Sequence, residues 1–349
     1  MIKTKFGTMQ DGSEISIYTF ENKHGLKMVV SDLGAHLINL WVPDKNQQLQ
    51  DVVLGFPSVE DYKKNTNTYF GAIVGRNANR TAGAQFEIDG KMYHMPKNEG
   101  ENNLHSGPNG YQIRLWEVKN FDEEKNSISF LLNSPDEDQG FPGDLLLEVT
   151  YTLTENDELV IAYNGSSNQK TVFNPTNHSY FNLNGHTSGD VLGHTLQMNA
   201  PAYTPVIDEH SIPTGEIASV ENTPMDFRSP KTVGQEINVD FDQLNFAGGY
   251  DHNFAFDEKR DKNAAAVTMT GDKSGITMEV YTDLPGVQVY TANGVNDVAG
   301  KEGFIYQKRS GICMETQFFP NAMNEAKFTS PILEKDQPIR TETTFKFTK

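Results

Sequence analysis

Apolar and polar residues alternate with a period of two through much of the chain. From Leu145 to Tyr163 it reads LLLEVTYTLTENDELVIAY, two β-rich runs separated by Glu155-Asn156-Asp157. A period of two sends successive side chains to opposite faces of a sheet, so it predicts half-buried strands. Gln85 to His94, QFEIDGKMYH, predicts a hairpin turning at Asp89-Gly90, because both residues tolerate the positive φ of a two-residue turn. Asn-Gly pairs beginning at Asn109, Asn164, Asn184 and Asn293 punctuate further short apolar runs. Thr277 to Tyr290 supplies another strand pair, TMEVYTD and VQVY, around Leu284-Pro285-Gly286. Helical signals are scarce. Ser58-Val59-Glu60-Asp61 resembles a capping box, and the polar, β-leaning stretch Asn65 to Thr68 keeps any helix there short. No fixed-period repeat, low-complexity tract or Pro/Ser linker divides the chain. The expected fold class is all-β, one antiparallel sandwich or barrel domain over residues 1–349.

Composition narrows the functional classes. Hydrophobic residues make up 36% of the chain, enough for a large core. The net charge of −18 argues against a surface that tracks phosphates, so no nucleic-acid partner is expected. No stretch approaches the ~18–20 apolar residues that cross a bilayer, so no membrane partner is expected either. Lys3 and Lys5 near the N-terminus have no apolar run behind them and do not form a signal peptide. An export signal removed during maturation would leave no trace here. Cys313 is the only cysteine, which excludes an internal disulfide and a thiolate zinc cluster. It is expected as a small buried hydrophobe. The expected location is the cytoplasm.

Five polar segments combine side chains that a core would reject. They are Gly75-Arg76-Asn77-Ala78-Asn79-Arg80, Asn102-Asn103-Leu104-His105-Ser106-Gly107, Asn174 to Asn182 (NPTNHSYFN), Gly248 to Asn253 (GGYDHN), and Glu315 to Asn321 (ETQFFPN). Carboxylates and guanidinium beside aromatic runs indicate a polar cleft, because such groups are seldom buried unpaired. The same mixture suits a sugar, whose hydroxyls pair with polar groups and whose C–H faces pack on rings. Taken singly, each segment has a plainer reading: Asn as a turn former, His as a satisfied structural residue, Glu315 as a surface carboxylate. Their joint presence weakens those readings.

These segments, with NPTNHSYFNL, GGYDHNF and ETQFFPNAMN in full, resemble the aldose 1-epimerase (galactose mutarotase) family. The resemblance runs from Val74 to about Asn324. It continues through Gly110-Tyr111 to Trp116 and through Thr282 to Gln288 (TDLPGVQ). It implies a β-supersandwich with a sugar in an open cleft on the face of one sheet. It also implies Glu315 as general base, His178 as general acid and His105 as a second histidine beside the ring oxygen. Asn79, Arg80, Asp251 and Gln288 would hold the hydroxyls, with Tyr180 near the base of the cleft. Ser106 and Thr81 depart from the family pattern, where Gly and an aliphatic residue are usual.

Interconverting α- and β-pyranoses needs a proton removed from the C1 hydroxyl and one delivered to the ring oxygen, so a base and an acid suffice. Nearby Glu315 and Asp251 are expected to favour the imidazolium form of His178. No metal, nucleotide or redox cofactor is called for. His178, His186 and His194 are evenly spaced but fall in Gly/Asn-punctuated loops with no common face. The expected partner is a monosaccharide such as galactose or glucose, and the chain is expected as a monomer or weak homodimer. Three alternatives remain open. A glycoside hydrolase would pair Asp251 with Glu315 and leave both histidines without a role. A non-catalytic sugar-binding module would need no acid and base together. A hexose-phosphate epimerase would need more cations than Arg76 and Arg80.

Overall fold

The computed structural model describes residues 1–349. Three antiparallel sheets account for most of the strands. The first is a meander of five in chain order: Ile2–Thr8, Glu14–Glu21, Lys27–Ser31, Leu37–Pro43 and Leu49–Asp51. The second has nine strands, with Ser127–Ser134, Leu145–Leu153, Glu158–Ser167, Ile339–Thr348 and Thr277–Thr282 as consecutive neighbours at its centre. The third has six, in the order Tyr180–Phe181, Ile312–Gln317, Gly286–Tyr290, Asp251–Ala255, Ala202–Tyr203 and Ala218–Ser219. Only two short α-helices occur, Val59–Tyr62 and Asp242–Ala247. The all-β expectation holds.

The period of two reads out directly in the packing. Leu145, Leu147, Val149, Tyr151 and Leu153 are buried while the residues between them face outward. Those five enter a cluster of 55 buried residues that also takes Tyr18 and Leu40 from the first sheet and Val287, Val289 and Met314 from the third. At about 25 cal/mol per Å² of apolar surface, burial on this scale is the main term holding the sheets together. The Asp89-Gly90 turn forms as expected, with φ of +51° and +81° between Gln85–Ile88 and Lys91–His94.

Three local expectations are corrected. Thr277–Thr282 and Gly286–Tyr290 do not pair with each other; they join the nine- and six-stranded sheets respectively. Pro285 has no N–H to give a ladder, and its carbonyl accepts the Phe256 N–H at 2.9 Å, so the chain crosses between sheets there. Asn164-Gly165 is not a turn but lies within Glu158–Ser167. A Cβ at Gly165 would meet the Phe173 ring at 2.2 Å, so glycine serves close packing rather than chain reversal. Ser58 does precede a helix, but its hydroxyl bonds the Asp61 carboxylate at 2.5 Å instead of capping a backbone N–H.

The six-stranded sheet positions the polar residues. Cross-strand partners share a face. Glu315 is opposite Gln288, which is opposite Asn253; Cys313 is opposite both Tyr290 and Tyr180, and Tyr290 is opposite Asp251. The intervening Val287, Val289, Phe254, Ile312 and Met314 point into the large core. One face is therefore apolar and anchored, and the other gathers carboxylates and aromatics from distant parts of the sequence.

Candidate active site

Above that polar face lies a cleft of about 210 Å³. Its walls are Asn67, Tyr69, Asn79, Arg80, Glu99, Leu104, His105, His178, Tyr180, Asp251, Gln288, Tyr290 and Glu315. All eight residues singled out from the sequence line it. The other five, Asn67, Tyr69, Glu99, Leu104 and Tyr290, are not among them.

Two loops bring in the residues that the sheet does not supply. Arg80–Thr81 pairs with Asn103–Leu104, which sets Asn79 beside His105. The Asn79 N–H donates to His105 Nδ1 at 3.1 Å, and the His105 N–H donates to the Asn79 carbonyl at 3.1 Å. Both residues have positive φ, +60° and +52°, a conformation that Asn and His tolerate better than most side chains. Ser106 also has positive φ, +70°, and its hydroxyl accepts the Asn77 N–H at 2.8 Å and donates to the Asn77 carbonyl at 3.0 Å. Thr81 accepts from the Asn77 side-chain amide at 3.1 Å. The two departures from the family pattern thus add bonds around Asn77 and keep the loop closed. His178 follows the short ladder of Thr176–Asn177 with Ile73–Val74, and its N–H donates to the Ala72 carbonyl at 2.8 Å.

The aromatic rings interlock. His105 and His178 meet edge to face with centroids 5.2 Å apart. Tyr69 stacks on His178 at 5.5 Å and meets His105 at 4.6 Å, while Tyr180 lies 5.2 Å from His178. His178 Nε2 is 3.6 Å from Glu315 Oε1. Its Nδ1 faces the Cys313 sulfur at 3.7 Å, a weak partner. Cys313 is buried, as expected. Glu315 Oε2 is buried without a hydrogen-bond partner in the protein.

Burial sets the proton affinities. The Glu315 carboxyl is pushed well above the usual carboxylate range by burial and by the Asp251 charge, against a lowering contribution from Arg80. Burial lowers His178 to about 4. His105 is held well below the usual imidazole range by burial, His178 and Arg80. The expectation that carboxylates would hold His178 as imidazolium is therefore corrected: loss of solvent outweighs their pull. Asp251 is raised by burial, and Gln288 Nε2 donates to its Oδ1 at 2.7 Å. Arg80 lies between two acids: Nε and Nη2 bond Glu99 at 2.7 and 2.8 Å, and Nη1 is 3.9 Å from Asp251.

His105, His178 and Glu315 offer ligand atoms within 4.8 Å of one another, a spacing that a metal ion could bridge. The surroundings of His105 oppose that use. A metal-bound histidine presents a bare nitrogen to the ion and donates its other N–H to an acceptor. His105 Nδ1 instead accepts an N–H, which leaves the ring proton on Nε2. This group is built to donate a hydrogen bond. His186 and His194 are elsewhere occupied, with His186 Nδ1 on the Tyr306 hydroxyl at 2.9 Å and His194 Nε2 on the Leu183 N–H at 3.0 Å. Arg76 is not in the cleft. It is 1% exposed and bonded to carbonyls and hydroxyls of the 134–143 segment and Thr171.

Comparison with known proteins agrees with this geometry. A model of the family described as Aldose 1-epimerase matches residues 16–346. The chain is 40% identical to a galactose mutarotase of Rattus norvegicus over 347 residues, 99% of this chain and 98% of that one. It is 35% identical to an aldose 1-epimerase of Escherichia coli over 322 residues, 92% of this chain and 91% of that one. Among solved structures, an aldose epimerase homologue from C. elegans superposes with a TM-score of 0.85 at 32% identity, covering 95% of this chain and 98% of that one. A galactose 1-epimerase from Lactobacillus acidophilus gives 0.86 at 28% identity, covering 99% and 98%. With the matched segments spanning both the sheet and the loops that build the cleft, the chain belongs to the aldose 1-epimerase family.

Proposed function

We propose that this protein is an aldose 1-epimerase, an isomerase interconverting the α and β anomers of free aldohexoses such as galactose and glucose. The observation that carries the proposal is the buried Glu315–His178 pair, 3.6 Å apart, with an unpartnered carboxylate oxygen in a polar cleft. In this reading Glu315 takes the C1 hydroxyl proton and His178 gives a proton to the ring oxygen. The C1–O5 bond breaks, C1 becomes a carbonyl, and rotation about C1–C2 presents its other face for closure. Asn79, Arg80, Asp251 and Gln288 hold the hydroxyls, and Tyr180 packs on the sugar. His105, with its proton on Nε2, donates a hydrogen bond toward the ring oxygen. No step calls on a cofactor. One core draws on all three sheets, which supports reading residues 1–349 as a single domain.

The shifted affinities place the pair's single proton on Glu315 while the cleft is free. Ring opening moves one proton through the sugar from His178 to Glu315. Burial favours that move at both ends, lowering His178 to about 4 and raising Glu315. Because the same preference keeps the proton on Glu315 in the free cleft, opening starts from the less populated arrangement with the proton on His178, and closure on either face returns the proton there. The cleft also favours uncharged sugars. Arg80 is its one Lys or Arg, and Glu99 and Asp251 flank it, so a phosphate dianion would find no free counter-charge.

Polarimetry of freshly dissolved α-galactose and α-glucose tests the activity. The approach to equilibrium rotation is expected to accelerate in proportion to added protein, and no acceleration with either sugar would end the proposal. A bell-shaped pH dependence is also expected, because the pair works only while it holds one proton. The rate should fall in acid as a second proton enters, near the His178 value of about 4, and fall in base as Glu315 loses the shared proton. Both limbs belong to the pair rather than to either residue alone. An acid limb centred near the ordinary imidazole value would contradict the burial argument.

A further inference from the structure

Glu99 meets Arg80 through two parallel bonds, Nε to Oε2 at 2.7 Å and Nη2 to Oε1 at 2.8 Å. That edge of a guanidinium can hold a carboxylate or phosphate in bidentate fashion. The opposite edge, Nη1, is 3.9 Å from Asp251 Oδ2, beyond hydrogen-bond distance, and so keeps its donors for hydroxyl groups. The Asp251 carboxylate is in turn occupied through Oδ1 by Gln288.

The carboxylate of Glu99 is delivered by a closed loop. The Glu99 N–H donates to the Asn102 carbonyl at 3.3 Å, and the Asn102 N–H donates to the Glu99 carbonyl at 3.0 Å. The Asn98 side chain bonds both the N–H and the carbonyl of Leu104, at 2.8 and 2.9 Å. The same loop ends at His105, so it places a cleft carboxylate and a cleft histidine together. The Glu99 side chain remains one-third exposed, so an approaching solute meets its charge.

We propose that Glu99 determines specificity by occupying the anion-binding edge of Arg80. It stands where the acidic group of a ligand would bind, so the cleft turns away small oxyanions and acidic sugars while Arg80 still serves neutral hydroxyls. This deepens the aldose 1-epimerase reading and rests on it for the sugar, though not for the anion.

The test uses Glu99→Gln, which keeps the shape and one acceptor oxygen but removes the charge. Inorganic phosphate is the probe, added at constant ionic strength while galactose mutarotation is followed. Phosphate should inhibit the wild type weakly and the variant competitively, with an inhibition constant lower by about tenfold or more. The KM for galactose should change only a few-fold, because the Nη1 edge is retained. Glu99→Ala, which deletes the carboxylate, should show the same gain in phosphate affinity. Phosphorus NMR line broadening on the same folded proteins reads phosphate binding without turnover. Equal phosphate affinity in the wild type and both variants would overturn the role of Glu99. If the wild type fails to exchange galactose anomers, the functional reading falls, while line broadening still decides whether Glu99 blocks an anion site.

Discussion

Glu315→Gln is expected to lower kcat for anomer exchange by about three orders of magnitude or more, with the protein folded and still binding sugar. Gln keeps the length of the side chain and an acceptor oxygen near the position of Oε2, the atom that lacks a partner in the protein. It cannot take the C1 proton. His178→Asn should produce a loss of similar order, because an amide can bond the ring oxygen but cannot protonate it. The two losses should be far from additive. The shared proton passes between these groups through the substrate, so removing either one disables the exchange and removing both adds little. Anomer exchange measured by polarimetry, sugar binding measured by calorimetry and thermal melting on the two single variants and the double variant separate this from a structural role. A purely structural pair would lower the melting temperature and leave kcat per folded molecule largely intact. Near-normal turnover in folded Glu315→Gln would end the proposed proton route.

The residues behind that prediction are legible through the ordered polar motifs that resemble the aldose 1-epimerase family. Glu315, Gln288 and Asp251 lie in segments that carry the family resemblance, and the structure sets them on one face of adjacent strands. Tyr69 and Glu99 carry no such mark. Tyr69 follows a stretch that reads as polar and β-leaning, and Glu99 sits in the acidic run Asn98-Glu99-Gly100-Glu101, which looks like a solvated loop. Both reach the cleft through chain reversals, and single-sequence periodicity does not encode where a reversal delivers its side chains. The Asn-rich motifs were legible only in part. Asn79 faces the cleft, but Asn177 donates to the Gly71 carbonyl and Asn182 to the Gly189 and Ser310 carbonyls, joining segments far apart in the chain. The protonation of His178 was misread because a sequence shows which charges are present and not how much water has been removed from around them.

Arg76 and Arg80 make the same point more sharply, since they share one six-residue motif and have unrelated fates. Arg80 belongs to the cleft, whereas the Arg76 guanidinium is 1% exposed and stacks against Phe141 at 5.6 Å. Its Nη1 donates to the Pro142 and Gly143 carbonyls and to Thr171 Oγ1, at 2.8, 3.0 and 3.0 Å. Its Nη2 donates to the Ser134 carbonyl and hydroxyl and to the Pro135 carbonyl, at 3.1, 2.8 and 3.2 Å. The Ser134 hydroxyl continues to Asp138, which pairs with Arg114, so one buried cation organises the whole 134–143 turn. Arg76→Leu fills much of the volume but strands those acceptors away from water, each without its donor. Breaking one side of a buried charged network costs on the order of 3–5 kcal/mol, so a loss of about 4 kcal/mol is expected. It should appear as a lower urea midpoint with an unchanged slope, the sign of altered stability rather than altered compactness. Turnover per folded molecule should stay close to wild type at a temperature where the variant is folded, because no atom of Arg76 reaches the cleft. A variant that melts normally but binds sugar poorly would place Arg76 in the substrate site after all, and would return a second cation to the cleft that the present argument treats as having only one.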